Sequence, residues 1–331
     1  MQSVLYSGFR FHHHNPTSGY DVLASDQCDY VCGDKLPFGH YPETSFARRF
    51  NFFLVDLVTL FRGLNHSTVH YFYPENTAYF SPVILKWLGK KIVFTIHLSE
   101  TTWIEPTRSV FRALKQRCLR SVDVIITLSS AHHRVFQSHF PSKTTRFIPH
   151  GFGFSRDEPS QAIFDARLRD KKIIVVGQNY RDFDLLERIV ASRGNRRAEF
   201  HLVGAPENLR PRFESHASVV WHHRMDQVDY ERLLESGVVM LLPLKFATAN
   251  NAILEAYNCY LPVIATEVDG VVDYAIERDL LIGDAEKFWH CFDRVCDLTP
   301  AGYRERCVAT HDVAKARFAW PTVRMALASV Y

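Results

Sequence analysis

The chain has 331 residues, of which 47% are hydrophobic and 23% charged, with a formal net charge of +3. It is too long for one ordinary core and too apolar to stay disordered, so two α/β domains of roughly 150 residues each are the natural division. No segment reaches the ~20 apolar residues needed to cross a bilayer. The modest charge, with no recurring aromatic-basic module, speaks against nucleic acid as a partner.

Taken in chain order, short β-branched runs alternate with amphipathic stretches, the pattern of a parallel sheet covered by helices. Met1 to Phe11 lacks the basic start and long apolar core of a secretory leader and reads as a strand at Ser3–Tyr6. Further strands are expected at Val69–Tyr73, Lys91–Ile96, Val122–Leu128 and Thr145–Ile148. Helices are expected at Gly19–Cys28, Ser45–Leu64, Pro82–Leu88, Ser109–Ser121 and Ala131–Phe140. A Gly-, Pro- and Ser-rich stretch from Pro149 to Ser160 marks the link, placing domains at 1–150 and 151–331, with the last helix able to pack back on the first domain. A second series follows, with strands at Lys172–Val176, Glu199–Val203, Val219–His222, Val238–Leu242 and Pro262–Thr266. Its helices are Phe183–Ser192, Gln227–Ser236 and Asn251–Cys259. Two such series predict two Rossmann-like, doubly wound domains facing each other across a cleft.

The seven cysteines include no CxxC pair; Cys28/Cys32 and Cys291/Cys296 come nearest, and all are expected to be reduced thiols of a cytoplasmic protein. His12-His13-His14 looks like a metal cluster, but three adjacent side chains cannot all turn to one ion, so a loop after the first strand is the better reading. Charge is uneven: residues 1–150 hold 16 Lys/Arg against 10 Asp/Glu, or +6, whereas the remainder is at −3. An anionic phospholipid surface or a phosphate-bearing acceptor would explain that asymmetry, and so would ordinary surface variation.

The most informative segment runs from Leu241 to Thr266. A buried strand ends at Pro243, a polar loop carries Lys245, and a helix opens at Asn250 or Asn251, both good N-caps. The first-turn amides of such a helix, with its dipole, offer a seat for an anion. Glu255 lies one turn beyond Asn251 on the same face, where a carboxylate could accept bonds from the hydroxyls of a ribose.

The residues Ile253-Leu254-Glu255-Ala256, then Leu261-Pro262-Val263-Ile264-Ala265-Thr266 and Asp269-Gly270, resemble the second domain of the retaining GT-B glycosyltransferases of family 4. Ile173 to Gly177 and Glu199 to Gly204 resemble that domain's first two strands, each closing on Gly. Ile92 to His97, Asp123 to Ser129 and Pro149-His150-Gly151 resemble first-domain segments, so the ordered match spans residues 3 to 275. The resemblance implies a nucleotide-sugar donor, UDP- or GDP-linked, held by Gly177, Arg181, Lys245, Asn250, Asn251 and Glu255. It implies an acceptor turn at Ser18-Gly19-Tyr20 and a cleft-lining His97, with Glu100 and Asp21 as carboxylates available to act as a base. Three positions depart from the family. Ala247 stands where its first glutamate would be, and Gln178 and Phe183 stand where it has the Arg and Lys that neutralise the diphosphate.

No Asp-x-Asp triplet is present, so no metal or other cofactor is expected, and no GxGxxG supports a dehydrogenase. The expectation is therefore a glycosyltransferase of polysaccharide or glycolipid assembly, with a saccharide or lipid-linked acceptor. It would be cytoplasmic, meeting the inner membrane face through basic, half-apolar helices at Phe50–Phe61 and Ser109–Arg120. The rival readings are a catalytically silent GT-B subunit and a sugar-nucleotide epimerase or phosphorylase on the same fold.

Overall fold

The computed structural model describes residues 3–10, 17–24, 29–42, 45–223 and 225–331. The His12–His14 run and Cys28 lie outside these. The chain divides into one unit of Met1–Gly153 with Trp320–Tyr331, and a second of Phe154–Ala319. The residues from 151 to 153 and the last helix, Trp320–Ala328, thus belong with the first unit.

The first unit is a six-stranded sheet of β1 (Val4–Gly8), β2 (Asp29–Cys32), β3 (Thr68–Tyr71), β4 (Lys91–Ile96), β5 (Val124–Thr127) and β6 (Thr144–Phe147). Its order is β2-β1-β3-β4-β5-β6 and every pair is parallel. The second unit holds β7 (Lys172–Val176), β8 (Glu199–Val203), β9 (Val219–His222), β10 (Val239–Leu242), β11 (Val263–Thr266) and β12 (Leu281–Ile282). Here the order is β12-β11-β10-β7-β8-β9, again parallel throughout. The strand order reverses between β1 and β3 in one sheet and between β7 and β10 in the other. Loops leaving the carboxyl ends of such a pair diverge, and the crevice between them is where doubly wound sheets bind ligands.

Local chemistry sets the elements. β4 and β7 are β-branched runs buried on both faces, as a sheet covered by helices requires. Helix starts follow their caps: the Ser45 hydroxyl accepts the Arg48 N–H at 3.1 Å, Asp182 that of Leu185 at 3.0 Å and Asp226 that of Asp229 at 2.8 Å. In the second unit Ile173, Phe200, Leu241 and Ile264 pack against Phe288, Trp289 and Phe292 of the Ala285–Cys296 helix. Cys32, Cys118, Cys259, Cys291, Cys296 and Cys307 carry free thiols. Among the described residues no helix is long and apolar enough to cross a membrane.

Several expectations change. The helix placed at Gly19–Cys28 is, where described, a single 3-10 turn at Tyr20–Leu23, followed by edge strand β2. Only Val31 of β2 is buried, so alternation there is too brief to show in the sequence. The linker is followed at once by a helix, Gln161–Asp170. The basic flank of the Val110–Ser121 helix is not solvated throughout. Arg112 donates to the carbonyls of Thr101 and Thr102, and Lys115 to that of Glu75.

Arg167 is fully buried and ties three elements together. Its guanidinium donates to the carbonyls of Glu235 at 2.7 Å, Tyr260 at 2.6 Å and Cys259 at 2.9 Å. Shortening it strands those carbonyls away from water, at about 1–3 kcal/mol each when nothing relaxes. Arg167→Met should therefore lower unfolding stability by about 3–5 kcal/mol. Urea denaturation checks this, and a loss under 1 kcal/mol would show that the carbonyls find other partners.

Candidate functional site

At the crossover of the second sheet, the loops after β7 and β10 are bonded to each other through their backbones. The Asp182 N–H donates to the Pro243 carbonyl at 2.7 Å and the Lys245 N–H to the Tyr180 carbonyl at 2.9 Å, with Arg181 and Leu244 bridged between them. The Thr266 hydroxyl, from the end of β11, donates to the Leu244 carbonyl and accepts the Leu244 N–H, both at 2.7 Å. Gly270 packs so tightly on the same loop that a Cβ there would overlap the carbonyl of Ala247. Gly177, at φ +81, closes β7 in a left-handed turn that a side chain rarely adopts.

Arg181 lies against that turn. Its Nε donates to the Val176 carbonyl at 2.8 Å and Nη1 to that of Asn179 at 3.1 Å. Burial lowers its pKa to about 10, so it keeps its charge at neutral pH, and among the described residues no carboxylate forms an ion pair with it. Lys245 differs. It is an exposed ammonium 3.4 Å from Asp184 and 3.8 Å from Asp182. Of the two cations proposed from the sequence, Arg181 is thus the one without an ion-pair partner among the described residues.

Asn250 caps the Asn251–Asn258 helix, its side chain accepting the Ala252 N–H at 3.0 Å, while the Ile253 N–H turns to the Asn250 carbonyl at 3.2 Å. The anion seat expected on these amides is therefore narrowed by the helix's own cap. Glu255 stands one turn further on. Its Oε2 accepts the Tyr230 hydroxyl at 2.7 Å, and burial raises its pKa to about 7 although the Tyr230 bond opposes the shift. The charge of Arg181 in turn acts on Tyr230, so the three groups form one electrostatic set. Ala247, buried, brings no carboxylate to the position where the family has its first glutamate.

The first unit has its own cluster at the carboxyl edge. Tyr20 lies edge-on to His97, His150 and Trp320 at centroid distances of 5.3, 5.0 and 5.3 Å, and Tyr73 lies 4.6 Å from His97. The His97 Nε2 is 2.8 Å from the Phe72 carbonyl, which can only accept, so that nitrogen carries the proton. Ser18 and Tyr20 are fully buried, so their side chains present no surface to an acceptor, and that of Tyr20 builds the cluster. A Cβ on Gly19 would overlap the Asp21 carboxylate. Asp21 has its pKa raised by burial, against the opposing charge of Arg10, and its Oδ1 is buried with no hydrogen bond. Glu100 stands apart from these rings, 3.5 Å from Nε2 of His132. The structure thus brings Tyr20 and His97 together, with the Asp21 charge acting on the neighbouring Tyr73, but not Glu100.

Sequence reasoning missed two supporting residues, Glu75 and Tyr230. Glu75, buried, accepts the backbone N–H groups of His97 at 2.6 Å and Leu98 at 3.0 Å, and burial raises its pKa to about 6. Its position just past β3, at the carboxyl edge, was the available signal. Tyr230, the partner of Glu255, gave none, because only the fold brings its helix to that carboxylate.

Residues 12–156 match the family described as Glycosyltransferase Family 4, and residues 170–297 that described as Glycosyl transferases group 1. Sucrose-phosphate synthase from Thermosynechococcus elongatus is similar in structure, with a TM-score of 0.65 at 18% identity over 99% of this chain and 88% of that one. HepE of Anabaena, solved with UDP and glucose, reaches 0.67 at 12% identity over 100% and 99%. The trehalose-6-phosphate synthase OtsA reaches 0.59 at 14% identity over 87% and 78%. No curated protein matches the chain by sequence. The chain thus has the fold of GT-B glycosyltransferase structures, and each half matches a glycosyltransferase family model.

Gly270→Ala forces the Ala247 loop away from its seat. The variant should lose about 1–3 kcal/mol of stability, the range for an overpacked core position. Thermal melts of variant and parent check this; an unchanged melting temperature would mean that the loop moves aside freely.

Proposed function

We propose that the chain transfers a glycosyl group from a nucleoside-diphosphate sugar, with the nucleotide held by the second unit. The observation that carries this reading is Arg181, a charged guanidinium without an acidic partner, over the Gly177 turn at the sheet's crossover. Negative charge builds on the leaving diphosphate as the glycosidic bond breaks, and a preorganised cation stabilises it most in the transition state. Glu255 would take the ribose hydroxyls, with Tyr230 fixing its orientation. HepE was solved with UDP and glucose, which supports a UDP-linked donor and a saccharide substrate. On the first unit, Asp21 and His97 are the groups for the acceptor hydroxyl, Asp21 having a buried oxygen without a partner. Charge neutralisation by Arg181 calls for no metal cofactor. A catalytically silent subunit is the alternative, and measured hydrolysis or transfer from a UDP-sugar separates the two.

Glu255→Ala should weaken UDP binding by about 1–3 kcal/mol, the scale for hydrogen bonds to a charged group. Binding through the ionised carboxylate must also respond to pH. With a pKa of about 7, the unliganded carboxyl is largely protonated at pH 6, so affinity should rise through neutrality and level off above it. Glu255→Gln should flatten that component, because the phosphate's own titration is common to both proteins. Calorimetry across this range, repeated in EDTA, checks both points. Equal pH profiles in the two proteins would remove Glu255 from the site, and binding lost in EDTA would contradict metal independence.

We also propose that the first unit works at a membrane, against a lipid-linked acceptor. Support comes from the Phe46–Gly63 and Ser81–Trp87 helices, which pack side by side and expose Phe46 at 85%, Phe61 at 63% and Trp87 at 84%. The exposed Arg49 and Lys86 and the half-buried Lys90 flank them. Each cation near an anionic surface contributes about 1 kcal/mol, screened by salt. The protein should float with phosphatidylglycerol vesicles and largely release at high salt, and Phe61→Ser with Trp87→Ser should weaken flotation without changing UDP affinity. Equal, negligible flotation with neutral and acidic vesicles would leave a soluble acceptor.

A further inference from the structure

At the edge of the first sheet opposite to His97, the amino ends of β4, β5 and β6 frame a cavity of about 640 Å³. Lys86, Lys91, Arg120, Lys143 and Arg146 line it, and Asp123 is the one carboxylate among its lining residues. That carboxylate is already engaged: Oδ1 takes the Lys86 ammonium at 2.5 Å and Oδ2 the Ile92 N–H at 2.8 Å. Three of the four remaining cations have backbone partners instead. Lys143 donates to the carbonyls of Arg120 and Val122, both at 2.7 Å, Lys91 to that of Val330 at 2.7 Å, and Arg146 to that of Thr145 at 3.1 Å. Carbonyls satisfy the N–H groups and fix them in place but cancel no charge. Among the described residues, no Asp or Glu side chain forms an ion pair with Lys91, Arg120, Lys143 or Arg146, and Lys91 also lies 3.1 Å from the Tyr331 main-chain oxygen.

Five cations against one side-chain carboxylate around one hollow leave an excess of positive charge, and low-dielectric walls strengthen the field inside it. On an open face such cations would spread into solvent; here lysine ammonium groups are pinned at the rim by the sheet's own connections. The lining is too polar for an apolar ligand, and the volume accommodates several phosphoryl oxygens with their water. We propose that this hollow is a binding site for a phosphate anion carrying at least two negative charges, either a soluble phosphate compound or a phospholipid headgroup. Arg120 and Arg146, both exposed, are the residues able to reach such an anion without disturbing the fold.

The test is calorimetric titration of the full chain with sodium pyrophosphate in the presence of saturating UDP, which occupies the proposed donor site. Saturable binding is expected, weakening as salt rises. Arg120→Ser and Arg146→Ser should each reduce affinity about tenfold, the loss of one charge-assisted hydrogen bond, with unchanged melting. Competition by phosphatidic acid vesicles would assign the site to a headgroup, and indifference to them would assign it to the soluble anion. No saturable binding, or equal affinity in the parent and the double variant, overturns the proposal. Failure of UDP to bind at all would count against the donor site and not against this one, since pyrophosphate can be titrated alone.

Discussion

The donor-side geometry depends on backbone meeting backbone where the second sheet reverses its order. Two loops that a doubly wound sheet would send apart are bonded to each other at Asp182–Pro243 and Lys245–Tyr180. Thr266 grips the same loop from one side, and Gly270 receives it from the other. Tyr180 adopts φ +56 within this arrangement, a conformation costing about 1–3 kcal/mol in a non-glycine residue and tolerated only where the surroundings impose it. The result is a fixed position for Arg181. A cation that need not reorganise as charge develops is the feature that most favours transfer chemistry.

Burial, and not direct charge pairing, governs the buried acids of both units. Asp21, Glu75 and Glu255 all have raised pKa values with desolvation as the largest cause. They differ in what answers that burial. Glu75 has two backbone amides and serves the loop at His97; Glu255 has a tyrosine hydroxyl; the buried Oδ1 of Asp21 has no hydrogen bond. Order of that kind separates a structural acid from one held ready for a ligand.

Much of the fold was legible. Lys91–Ile96, Lys172–Val176, Glu199–Val203 and Val219–His222 were read with their observed ends, because each is a compact run with polar residues at its borders. Helix starts were legible where Ser, Asp or Asn stood ready to cap them. Edge strands β2 and β12 were not, since a strand bonded on one side can be short and hardly apolar. The site was legible only as a set of candidates. Nothing local told Arg181 from Lys245; the difference comes from Asp184, which is 61 positions from Lys245 and next to it in space. Likewise Glu255 was found from its helix motif, whereas its partner Tyr230 lies on a different helix.

The last helix raises a matter of timing. Trp320 completes the ring cluster around Tyr20 and His150, and its indole donates to the Thr17 carbonyl at 2.7 Å, while Lys91 holds the carbonyls of Val330 and Tyr331 at the other end of the sheet. The first unit is therefore discontinuous in the chain, with the whole second unit inserted before its final piece. During synthesis, residues up to 153 emerge long before residue 320, so this unit must wait with one face open while the other unit folds. Closing that face joins segments some 300 residues apart in sequence, a late and entropically costly step. Ribosome-bound chains of this protein would accordingly hold a finished C-terminal sheet beside an unfinished N-terminal one, a reversal of the usual vectorial order.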